Sequence, residues 1–299
     1  MTLFSRFATI ATRIPAALLI AMAAASILIS LQARAADAPK QTVIVSGLEN
    51  PESVVQGADG KLYVTVIGKD GTDGDGFVAV IEDGKAKPFA TGLDDPKGLV
   101  AHGNDLYVAD KTRVCKIDSA GKATVYAAAE DFPQKPKFLN DIEVGPAGDV
   151  YVSDCGTFVS DGAVYRITPD RKTSVVLSQK TAPGLKAANG LLADGPDHLL
   201  VADFTAGKLH RLTLADGKLT EIAKGLGGAD GIARDTKGSI YVSDWKGGRV
   251  FLIEANASTP KLLLDKFKAA ADLLFLPKQG VLLVPDMKAG TITSVSVAP

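Results

Sequence analysis

Histidine and cysteine are nearly missing: 299 residues contain three His and two Cys. Two cysteines cannot staple a small scaffold. No Cys-x-x-Cys pair or Cys/His cluster offers zinc its usual ligands, and three histidines leave little for an imidazole-based metal site. Whether Cys115 and Cys155 are bridged depends on a geometry that sequence does not fix. A large charge of either sign is also absent: the formal net charge is −1, so nothing marks nucleic acid as a partner. There is no Gly-x-Ser-x-Gly elbow, no phosphate-binding loop and no His-Glu-x-x-His helix. Beyond residue 35, helix-length amphipathic runs are missing too, as is any apolar run able to span a bilayer. What remains is a chain that is 46% hydrophobic, too apolar to be disordered and long enough for a sizeable core.

Acidic residues are also missing from residues 1–35. Arg6 and Arg13 precede an apolar run from Pro15 to Leu31, followed by the small-x-small site Ala33-Arg34-Ala35 and a polar stretch. This is the layout of a signal peptide over residues 1–35; an uncleaved anchor is the alternative, because 17 apolar residues nearly span a bilayer. No Cys follows the run and no Arg-Arg pair precedes it, which argues against a lipid anchor and the twin-arginine route. Cleavage leaves residues 36–299, with 30 basic against 34 acidic side chains. The expected product is periplasmic or secreted, monomeric and free of the membrane.

One pattern recurs along this stretch: Tyr63-Val-Thr-Val66, Tyr107-Val-Ala-Asp110, Tyr151-Val-Ser-Asp154, Leu200-Val-Ala-Asp203, Tyr241-Val-Ser-Asp244 and Leu283-Val-Pro-Asp286. The starts lie 44, 44, 49, 41 and 42 residues apart. A period in the forties, with short β-rich runs bounded by Gly, Asp and Lys turns, predicts an all-β, six-bladed propeller of four-stranded blades, A to D. The sixth repeat runs out of chain after its C strand, and Gln41–Ser46 is available to serve as its outer strand. The N-terminal strand is therefore expected to complete the last blade and remove two free edges.

Counting back fourteen residues from the end of each B-strand motif, or thirteen in the second repeat, gives Glu52, Lys97, Asn140, Asn189, Asp230 and Asp272. The A strand of a propeller is innermost, so six polar side chains are expected to converge on the axis. Carboxylates and amides are hard oxygen ligands that suit Ca²⁺, with another divalent cation possible, and argue against zinc or copper. Plain hydrogen bonding among blade starts is the competing reading, and an ion pair of Glu52 with Lys97 would satisfy part of the ring.

Asn140-Asp141, Asn189-Gly190 and Ala229-Asp230-Gly231-Ile232, followed by Trp245-Lys-Gly-Gly-Arg-Val250, resemble the senescence-marker-protein-30/gluconolactonase/LRE-like superfamily. The resemblance covers the whole of residues 36–299, and the blades also resemble NHL repeats. It implies a calcium-dependent lactonase-type hydrolase acting on a small molecule, with Glu52, Asn140, Asn189 and Asp230 as metal ligands and Asp230 doubling as general base or nucleophile. Asp272 is expected to position water or tune Asp230, and Lys97 to neutralise a substrate carboxylate or an oxyanion. Phe138 stands where gluconolactonase-like members usually carry a substrate-contacting Arg, which points to a less polar substrate. Trp245 is either rim packing or a second pocket residue. The NHL likeness implies the alternative of a propeller that binds a protein, peptide or glycan without catalysis. The Asp ending five of the six B strands is expected to form a turn, and the Gly/Asp-rich segment 68–76 to be a rim loop.

Overall fold

Each repeat folds into a four-stranded antiparallel sheet, and six such sheets form a β-propeller. Residues 39–69 and 71–297 are described by a computed structural model; the signal segment expected at residues 1–35 lies outside them. Five sheets run A-B-C-D in chain order, as in the fifth blade: Ala229–Arg234, Ile240–Asp244, Arg249–Ile253 and Lys261–Leu264. The sixth takes its outer strand from the N-terminal side: Gln41–Ser46 pairs antiparallel with Thr291–Ser296, from Gln41 opposite Val295 to Ser46 opposite Thr291. Hydrogen-bonded pairing thus joins the two ends of the ring, as expected from the sequence.

There is no single central core. Six apolar clusters fill the six gaps between adjacent blades. Between blades two and three, Tyr107 and Val114 face Leu139, Val152 and Tyr165. Between blades six and one, Ile292 and Leu283 face Val54 and Val64, and Val45 of the N-terminal strand joins them. B strands, covered on both faces, are continuously buried, as in Val150–Asp154, whereas the outer strand Thr173–Ser178 includes exposed positions. Burying each Val or Leu contributes about 1.5–3 kcal/mol, so the stability of the ring is distributed over all its interfaces. Both thiols are free: Cys115 belongs to the gap between blades one and two, and the buried Cys155 Sγ donates to the Ala188 carbonyl at 3.1 Å.

Two features shape the channel face. The Asp residues ending five B strands do more than make turns. Asp154 accepts the Gly156 N–H of its own turn, but also the Lys137 and Phe138 N–H groups of the segment leading into its A strand, at 3.0 and 2.9 Å. Asp203 accepts Lys186 and Ala187 N–H, and Asp286 accepts Lys268 and Ala269 N–H, in the same way. Each buried carboxylate therefore holds the incoming chain at the start of the innermost strand, through charge-assisted bonds.

The innermost strands then crowd the axis. A Cβ on Gly190 would run into the Asp230 carbonyl oxygen, and one on Gly231 into Asp272 Cα. In each of these A strands a bulge accompanies the small residue: register shifts between Ala188 and Leu191, and between Ala229 and Ile232. The bulge adds one residue to the A strand and redirects the side chain before the glycine. Gly190→Ala is accordingly expected to cost about 3 kcal/mol, whereas Gly184→Ala, where added carbon meets open space, is expected to stay within about 0.5 kcal/mol of the parent. Urea unfolding of both variants checks this; equal stabilities would contradict the crowded axis.

Candidate functional site

Where the A strands begin, Glu52, Lys97, Asn140, Asn189 and Asp230 line one cavity of about 370 Å³. All five are buried, with exposures of 2–6%. Each is the first of the bulged residues of its A strand: register shifts after Pro51, Pro96, Leu139, Ala188 and Ala229. Five of the six expected ring residues are therefore brought together.

Asp272 is not among them. Leu283 pairs with Leu274, nine residues back, whereas Tyr151, at the same motif position, pairs with Glu143, eight back. The A–B hairpin of the sixth blade is thus one residue longer in register, and Ala270 is the residue bridged to Asp286. Ala271 occupies the ring position and Asp272 the next, equivalent to Ser53, Asp141 and Gly190 in their blades. It lines a separate cavity of about 220 Å³ with Asp141, Glu143 and Arg234. There it accepts the Ser53 hydroxyl at 2.7 Å, and its own N–H donates to the Glu52 carbonyl.

Seven buried side-chain atoms lack a hydrogen-bond partner among the described residues, and four of them are Glu52 Oε2, Asn140 Oδ1, Asn189 Oδ1 and Asp230 Oδ1. An unsatisfied buried acceptor costs about 1–3 kcal/mol, so four on one cavity are a standing destabilisation unless a cation meets them. The set, two carboxylates and two amide oxygens, fits a hard divalent cation such as Ca²⁺. Among the described residues no cluster of three or more His, Cys, Asp or Glu side chains is placed to hold a metal; the amides complete this set.

The electrostatics agree. Burial, then Asp230, Asp272 and Asp141, hold the Glu52 carboxyl well above the usual range, with Lys97 pulling it down. Burial and then Asp272 do the same to Asp230. Asp272 itself is pushed up to about 7 by burial, against the Ser53 and Leu273 hydrogen bonds. A group of acids that resists ionisation is one whose charged form a cation would stabilise.

Lys97 does not pair with Glu52. Its ammonium forms an ion pair with Asp95 and lies 4.2 Å from the centroid of the Phe138 ring. The walls above the ring are apolar: Ile67, Phe138, Phe158, Phe204, Trp245 and Met287. Phe138 and Trp245 were expected there. Ile67, Phe204 and Met287 were not, although each, like Trp245, directly follows the end of a B-strand motif, a shared register visible in sequence. Phe158 carries no such signal: it reaches the wall from a left-handed backbone conformation, φ 65°. The three histidines lie elsewhere, with His102 and His198 at the far ends of their strands and His210 in a C strand.

The family described as SMP-30/Gluconolactonase/LRE-like region matches residues 89–259, more than half of the chain. A gluconolactonase from Xanthomonas campestris is similar in structure, with a TM-score of 0.71 and 16% identity over 87% of this chain and 90% of that one. A calcium-binding regucalcin from Agrobacterium tumefaciens gives a TM-score of 0.70 and 16% identity, covering 87% and 94%. Virginiamycin B lyase from Staphylococcus aureus gives 0.60 and 15%, covering 87% and 99%. At such identities the likeness to these structures is one of fold. No curated protein matches the chain.

If the four acceptors are a cation site, replacing one buried carboxyl that resists ionisation should stabilise the cation-free protein. In chelator at pH 8, Asp230→Asn is expected to melt about 2–4 °C above the parent, the shift that about 1 kcal/mol produces at this size. In millimolar Ca²⁺ the order should reverse. A variant less stable than the parent under both conditions would contradict the cost assigned to the empty site.

Proposed function

The chain belongs to the SMP-30/gluconolactonase/LRE-like family, and on that premise we propose that it is an exported, divalent-cation-dependent hydrolase of lactones or esters. The observation that carries this reading is the set of four unpartnered oxygens on Glu52, Asn140, Asn189 and Asp230, lining one cavity. These four residues would hold the cation, and the regucalcin likeness favours Ca²⁺. When bound, Ca²⁺ supplies a Lewis acid that polarises the substrate carbonyl.

The chain's own residues then have distinct tasks. Asp230 takes a proton from the attacking water as its oxygen adds to the carbonyl carbon. Breaking the acyl C–O bond releases an alkoxide, which receives that proton, so that the products are an acid and an alcohol, or a hydroxy acid from a lactone. Lys97 is the one ammonium among the lining residues and offers charge to the developing oxyanion. Burial first, and then the charge of Asp272 from the level below, hold the proton affinity of Asp230 up, as a general base requires. The apolar walls exclude water above the ring and favour substrates with few hydroxyls.

The alternative, a propeller that binds without catalysis, draws support from the same apolar walls, which need no metal to hold a ligand. A panel of aryl esters, alkyl-substituted lactones and gluconolactone, assayed with Ca²⁺ or with chelator, separates the two. Turnover that chelator abolishes, and that Asp230→Asn lowers by about 100-fold or more in kcat, is the expected outcome. Hydrolysis indifferent to chelator and to Asp230→Asn would contradict the proposal.

A further inference from the structure

Above the ring the cavity wall is built as a continuous aromatic arc. The Phe138 and Phe158 centroids are 4.9 Å apart, Phe158 and Phe204 5.6 Å, and Phe204 and Trp245 6.2 Å. The indole N–H of Trp245 donates to Met287 Sδ at 3.0 Å, which leaves the wall no free donor at that point. Phe158 completes the arc only by adopting a left-handed backbone that a bulky residue ordinarily avoids. The Thr205 hydroxyl fixes it by donating to the Phe158 carbonyl at 2.6 Å. Strain held in this way on a cavity wall is a feature of ligand sites.

Lysines cap this arc. Lys246 Nζ lies 4.4 Å from the Phe204 centroid and Lys288 Nζ 4.2 Å from that of Trp245. Lys97 has Asp95 as its partner; Lys246 and Lys288 have no carboxylate partner among the described residues. The cavity lining therefore combines acids and amides with apolar rings, and two ammonium groups without a carboxylate partner among the described residues lie over the Phe204 and Trp245 rings of that lining.

We propose that this arc is a specificity subsite for amphiphilic anions: an aromatic or acyl body lies against Phe158, Phe204 and Trp245, and a carboxylate at its outer end pairs with Lys246 and Lys288. A polyhydroxylated sugar lactone is disfavoured, because the aromatic wall offers hydroxyls lying against it neither donors nor acceptors. The inference rests on the hydrolase reading only for the direction in which the ligand points, its scissile carbonyl toward the ring; the anion preference itself is a property of binding.

Trp245 is the single tryptophan of the chain, so tryptophan fluorescence, excited apart from that of tyrosine, reports on the subsite. Titration with 4-phenylbutyrate, 4-phenylbutanamide and gluconate, in chelator and again in Ca²⁺, is the test. Phenylbutyrate is expected to give a saturable change with a Kd about tenfold below that of the neutral amide. This margin should shrink in high salt and vanish in Lys246→Gln/Lys288→Gln, which keeps its affinity for the amide; gluconate should give no change. Equal affinity for anion and amide in the parent, a preference that survives the double substitution, or tighter binding of gluconate would overturn the subsite. Lys288→Gln alone, expected to lose part of the margin, serves if the double variant does not fold. Failure of the hydrolase reading would appear differently, as an intact anion preference without turnover.

Discussion

Everything at this site follows from the lack of room at the propeller axis. Six innermost strands converge there, and the backbone of one blade touches the next closely enough that Gly190 and Gly231 admit no side chain. A polar residue beside such a glycine cannot turn toward its neighbour. The bulge at each A-strand start sends it toward the cavity instead, where the crowding that shuts out other side chains also removes hydrogen-bond partners. The unpartnered oxygens of Glu52, Asn140, Asn189 and Asp230 sit at these bulges, and the last three are held in place from outside by the buried Asp residues that fasten their incoming segments.

This geometry stratifies the channel. Asp141 and Asp272 lie one residue further along their strands, hydrogen-bonded to Leu191 N–H and to the Ser53 hydroxyl. They are satisfied, and they act on the ring by charge. Four oxygens of the ring are unsatisfied. The walls above it are apolar, and the Lys246 and Lys288 ammonium groups lie over two of their rings. A ligand entering such a cavity meets a fixed order of environments, which sets its orientation before any chemistry begins.

Much of this could be read from the chain. The recurring Tyr/Leu-Val-x-Asp marks the B strands because they are buried on both faces, and their spacing gives the blades, the closure by Gln41–Ser46 and four of the five polar ring residues by a fixed back-count. The fifth, Lys97, came from allowing for a shorter turn. The same count failed at Asp272, because a one-residue difference in hairpin register moves a side chain to the other level of the channel, and sequence shows the loop but not the pairing. The ammonium of Lys97 pairs with Asp95, two residues before it in the chain, rather than with Glu52. Of the walls, Phe138 and Trp245 were legible. Ile67, Phe204 and Met287 share the register of Trp245 and could have been found by it, whereas Phe158 depends on a left-handed turn that nothing in its local sequence announces.

The assignment of the four oxygens as one cation site is tested most directly by calorimetric titration of Ca²⁺ into the parent protein, Glu52→Gln and Asp230→Asn. A single site is predicted in the parent, weakened at least about tenfold, some 1.4 kcal/mol, by either substitution. No divalent-cation binding by the parent, or binding left unchanged by both substitutions, would contradict it.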